Sequence, residues 1–168
     1  HTWRKSIKRG GYENLLTVST QILDTTLEKP DYIPIEQYTF TSYEGNFYIT
    51  LTIKDNEKIV FETSGELMDM LWFIMIQVIE ETLKNGSGEW TFPSLLRLER
   101  LDDQSLMLTN ELTHIVYPKN DLLAALLEGF EEFMEFYIPY ALHTRPENVE
   151  ELLTMYRGKV ETFHQLLV

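Results

Sequence analysis

Asp121, Glu128, Glu131, Glu132 and Glu135 lie in a stretch, Asp121 to Thr144, that holds not one Lys or Arg. At helical spacing the five carboxylates fall in a single arc of roughly 100°, with no bases four residues away to neutralise them. Leu123, Leu126, Leu127, Phe130, Phe133, Met134, Tyr137 and Ala141 fill the opposite side. The chemistry open to such a face is electrostatic capture. A field of one sign draws cations, basic peptides or basic proteins and repels DNA, RNA and anionic membrane. The simpler reading is a solvated helix face. Uniformity of sign favours capture, because residues 101–156 hold eleven acids against only Lys119 and Arg145. Glu147, Glu150 and Glu151 extend the patch, and Tyr140, with Phe136 and Tyr137, could anchor a partner beside it.

Other chemistry is thinly represented. Four histidines, His1, His114, His143 and His164, form no pair with metal-binding spacing, and there is no cysteine for a thiolate site, a disulfide or a nucleophile. No metal or other cofactor is expected. His114 has polar neighbours in Glu111, Thr113 and Tyr117, so a hydrolase or transferase site would be sought there. Glu80/Glu81, Asp102/Asp103, Glu131/Glu132 and Glu150/Glu151 are adjacent carboxylates. Neighbours on a helix point about 100° apart and do not face each other across a cleft as acid–base pairs must, so all four pairs read as surface. The eight glycines build neither a phosphate-binding loop nor a dinucleotide turn, and no nucleophile elbow is present.

The elements that must position these residues follow from periodicity. Residues 12–28 carry Leu15, Val18, Ile22 and Leu27 near helical spacing and predict a helix, with a strand as the alternative. Pro30 and Pro34 end it. From Gln37 the period becomes two, and Tyr38–Tyr43, Phe47–Lys54 and Lys58–Thr63 predict a three-stranded antiparallel meander. Ser64 reads as the N-cap of a helix with Glu66 and Asp69 in its first turn, running to Lys84 and stopping at Asn85-Gly86. Its centre, Met70 to Ile76, is apolar all round, which places Trp72 in the interior. Trp90–Leu101 and Ser105–Leu112 predict a hairpin, with Pro93 marking an edge or bulge. An extended piece, Thr113–Tyr117, precedes the acidic helix, which ends near His143, and Glu147–Leu167 makes the last helix. The order predicts a single α+β domain over residues 12–168, an antiparallel sheet of meander plus hairpin against three to four helices.

The net charge of −13 is polarised: Arg4, Lys5, Lys8 and Arg9 make residues 1–11 a basic segment, read as flexible, and leave −17 on residues 10–168. The most apolar run falls well short of the ~18 residues that span a bilayer. With no signal peptide and no cysteine, a cytoplasmic location is expected. A small, acidic, cysteine-free α+β chain without catalytic motifs resembles bacterial immunity and antitoxin proteins. That likeness of class implies a non-enzymatic protein neutralising a basic toxin or nuclease, and it carries no residue over. A homo-oligomeric structural or regulatory domain is the other non-enzymatic reading.

Overall fold

The computed structural model describes residues 16–91 and 94–167, together with the backbone of Lys8–Arg9 (β1) and Tyr12–Glu13 (β2), which pair antiparallel. The rest of the basic N-terminal segment, Leu15 and Pro93 lie outside the described residues. Among the described residues the architecture is α+β, with two larger antiparallel sheets rather than the one expected, and three α-helices.

The first sheet corrects two expectations. Leu16–Asp24 is a strand, β3, not a helix. Leu16, Val18, Thr20, Ile22 and Asp24 alternate inward, and a stretch rich in Thr, Val and Ile packs well on a pleated surface. The helical spacing of Val18 and Ile22 is coincident with period two. Tyr38–Tyr43 is not a strand. The central partner of β5 (Tyr48–Asp55) is β3 instead, in a register pairing Val18 with Ile53 and Ile22 with Ile49. β4 (Asp31–Pro34) flanks β3, while β6 (Lys58–Glu62) and β7 (Glu66–Leu67) follow one another along the other edge of β5. The hairpin expected around Asp55-Asn56-Glu57 is present between β5 and β6.

The first long helix, α1, covers Leu71–Asn85 with Met70 at its N-cap, six residues later than the expected cap at Ser64. Glu66 is drawn into a ladder with Ile49, so the chain is still extended where the helix was expected to begin. Its end is as the sequence signalled: Gly86 sits at φ 91° and its N–H caps Thr82 O at 2.8 Å. Trp72 is fully buried. The second sheet, in order β11-β10-β9-β8, contains β8 (Ser87–Trp90), β9 (Leu96–Arg100), β10 (Ser105–Thr109) and β11 (His114–Pro118). The expected hairpin is β9–β10, but its first strand starts at Leu96 rather than Trp90, which instead ends β8 and pairs with Leu96; the extended piece after it is a full partner of β10.

The two last helices are α2 (Lys119–Thr144, with Pro139 inside it) and α3 (Val149–Leu166). α2 lies across β3 and is flanked by α3, while α1 packs on β8 and β9. Trp72 of α1 meets Phe130 and Phe133 of α2, so both helices share one core above the first sheet. Among the described residues no helix is long and apolar enough to cross a membrane.

Candidate functional site

The central position of α2 changes what its acidic stripe can do. A helix packed on β3 and α3 has little free circumference, and its carboxylates differ accordingly. Glu131 is only 7% exposed, Asp121, Glu128 and Glu132 are half-buried, and Glu135 is exposed. Glu131 is therefore not the surface acid its sequence suggested. His164 of α3 approaches its Oε1 at 3.4 Å. None of the five acids is without an interaction partner.

Beside Glu132 and Glu135 the surface opens into a groove of about 230 Å³, lined by Ile35, Glu36, Tyr38, Glu132, Glu135 and Phe136. The opposite wall comes from the segment after β4. Ile35–Gln37 makes one 3-10 turn, burying Ile35 and leaving Glu36 at the rim. The chain then crosses α2 through rings rather than backbone pairing, which is why residues 38–43 form no strand. Tyr38 meets Phe40 edge-on at 5.0 Å, Phe40 stacks on Phe136 at 5.3 Å and on Tyr140 at 5.2 Å, and Tyr38 meets Phe136 at 6.4 Å. Burial, and then the charge of Asp24, raise the Tyr38 hydroxyl above its ordinary range, so it stays neutral.

Three carboxylates, two ring walls and one aliphatic residue, with no base among these described lining residues, suit one class of ligand group. A guanidinium or ammonium on an aliphatic stem finds charge-assisted acceptors in the acids and π faces in the rings. Glu36 and Tyr38 were not singled out in the sequence. They stand almost a hundred residues from Glu132, and no local pattern links them.

The remaining sequence candidates are scattered. Tyr140 is only 6% exposed and packs among Phe40, Phe47 and Tyr137, so Tyr38 and Phe136 are the rings at the groove instead. Glu147, Glu150 and Glu151 are exposed beyond the far end of α2, on the order of 15 Å along the axis from Glu135. His114 is exposed on β11, and the neighbours expected around it turn elsewhere. The Tyr117 hydroxyl donates to Asp55 Oδ2 at 2.7 Å, and Glu111 Oε1 accepts the Leu95 N–H at 2.6 Å. His143 stacks on Tyr43 at 3.8 Å. No group of three or more His, Asp or Glu side chains disposed to hold a metal ion occurs among the described residues.

A second, tighter cleft of about 30 Å³ lies where the two sheets meet, between Thr63, Ser64, Glu66, Trp90, Ser94 and Asn110. Glu66 is 8% exposed, and its Oε1 accepts from Ser94 Oγ at 2.6 Å and Ser64 Oγ at 3.5 Å. The Trp90 indole N–H is enclosed there without an acceptor among the described residues. The space is that of a water molecule. It is a joint between sheets, too small to admit a substrate. Comparison with protein-family models, curated proteins and solved structures found no match to the chain.

Proposed function

We propose that the protein is a non-enzymatic binding protein whose acidic groove receives a lysine or arginine side chain of a basic protein partner. The observation that carries this reading is the groove itself: Glu36, Glu132 and Glu135 converge on a 230 Å³ space walled by Tyr38 and Phe136. The exposed acids Glu147, Glu150 and Glu151 would widen the field that steers such a partner, acting on the association rate more than on the lifetime of the complex. Neutralisation of a basic toxin, in the manner of a bacterial immunity protein, is the biological role this chemistry fits. The test uses labelled octa-arginine as a stand-in for the basic partner. Glu36→Gln/Glu132→Gln/Glu135→Gln should weaken binding about tenfold or more at low salt, roughly 0.5 kcal/mol per charge. Equal affinity for the folded triple variant would remove the groove from the reading.

A further inference from the structure

We infer that the small cleft where the two sheets meet is a binding site for one ordered water molecule, which accepts the Trp90 indole N–H and donates to the Glu66 carboxylate. The site is separate from the acidic groove and stands or falls independently of it.

The donor comes from the second sheet. Trp90 ends β8 and lines the cleft. Its Nε1 is enclosed and has no acceptor among the described residues. An indole N–H can only donate, and burying it unpaired forfeits its hydration. Native proteins satisfy such groups with the chain or with an ordered water.

The acceptor comes from the first sheet. Glu66 lies on β7, paired with Ile49, and is only 8% exposed. The bonds from Ser94 Oγ at 2.6 Å and Ser64 Oγ at 3.5 Å both fall on Oε1. Oε2 keeps its capacity to accept. Rival acceptors at the cleft are spent. Asn110 Oδ1 takes the N–H groups of Leu112 and Thr113, each at 3.0 Å. Glu111 is exposed, and its Oε1 takes the Leu95 N–H.

The pairing of donor with acceptor selects the occupant. The positive end of an N–H dipole disfavours a cation, and a carboxylate disfavours an anion. An apolar guest would satisfy neither group. Water accepts from one and donates to the other, and a space of about 30 Å³ holds it. Thr63 also lines the cleft. Its Oγ1 accepts the Leu51 N–H at 2.9 Å and retains a proton for a third bond. A buried water typically makes about three. Beside the direct ties Ser94–Glu66 and Asn110–Glu62, β8 is thus linked to β7 through a solvent molecule.

A high-resolution crystal structure of the full chain is the direct test. A solvent peak within about 3.2 Å of both Trp90 Nε1 and a Glu66 oxygen is expected. An empty cleft, or an indole N–H bonded to the chain itself, overturns the inference. Urea melts give the energetic test. Trp90→Phe should lower the folding constant about tenfold, because loss of the donor releases the water and strands Glu66 Oε2. In Glu66→Met the bridge is already broken, so Trp90→Phe should cost several-fold less there; the smaller ring is common to both backgrounds and cancels. Equal cost in the two backgrounds overturns the bridge. So does a gain in stability from Trp90→Phe, which would mean a donor that was simply unsatisfied. If Glu66→Met does not fold, crystals of Trp90→Phe decide: the peak should vanish or move, and a peak unmoved overturns the role of the indole.

Discussion

The indole N–H of Trp72 donates to Thr20 Oγ1 at 2.8 Å, joining α1 to the strand beneath it through two side chains that are both fully buried. A buried donor without an acceptor loses its hydration with no compensation, so the threonine satisfies the one polar atom of the largest core side chain. Thr20→Val is expected to cost ~1–3 kcal/mol in urea melts. Trp72→Ala is expected to cost ~3–5 kcal/mol. Adding Thr20→Val to Trp72→Phe should cost less than it does in the wild type, because the donor is already gone.

Gly129→Ala replaces a poor helix former by the best one and should still destabilise. The helix-propensity gain is about 1 kcal/mol. The new Cβ falls 2.6 Å from Val18 Cγ1 and 3.0 Å from the Trp72 ring. Overpacking of that kind costs ~1–3 kcal/mol. Denaturation of Gly129→Ala, Val18→Ala and the double variant should show the pair less destabilised than the sum by about 1 kcal/mol. Strict additivity would mean that the helix and strand do not touch there.

At the joint between the sheets, Ser94→Ala is expected to destabilise more than Ser64→Ala. Ser94 supplies the short hydrogen bond to the buried Glu66 carboxylate, 2.6 Å against 3.5 Å. Removing a charge-assisted bond to a buried acid costs ~1.5–3 kcal/mol. Thermal melts of the two variants decide the order, and equal losses would remove Glu66 as the anchor of this joint.

Alkaline pH should weaken the fold through its tyrosines. Burial, reinforced by the hydrogen bond to Asp55 and its charge, pushes the Tyr117 hydroxyl up to about 12. Burial and Asp69 raise Tyr137 as well. In the unfolded chain a tyrosine titrates near 10. Between about pH 10 and 12 the unfolded state has lost protons that the folded state keeps, so stability falls as pH rises. The contribution is complete below about pH 10. Tyr117→Phe should flatten the decline, measured by urea melts from pH 9 to 12. A slope unchanged in that variant would show that Tyr117 keeps no raised value.

Much of the fold could be read from elements whose local pattern and tertiary role agree. The apolar run around Trp72, the Asn85-Gly86 stop, the β5–β6 turn and the bounds of α2 and α3 are of this kind. The misread segments are those where two periods fit the same residues. Val18 and Ile22 satisfy both a helix and a strand, and the pairing with β5 decides. Tyr38 and Phe40 are spaced like alternate residues of a strand, yet ring packing on Phe136 and Tyr140 holds them, and Tyr43 with them, instead. Of the site, the acids on α2 could be read from the sequence and the groove could not. Its other wall, Glu36 and Tyr38, arrives through a tertiary crossing that leaves no trace near residue 132. Nor does amphipathic spacing reveal that α3 covers one flank of α2 and buries Glu131.

The close approach of Gly129 to Val18 also fixes the phase of α2. A helix whose backbone rests on a strand through a hydrogen atom cannot roll, because any larger atom at that position meets the sheet. A turn by one residue would swing every carboxylate by about 100°. It would drive Glu132 toward the core and lift Phe133 into water. The missing side chain therefore acts as an index mark: it sets which acids face the solvent and which the interior. The charge pattern that a cation meets is decided by a residue that carries no charge.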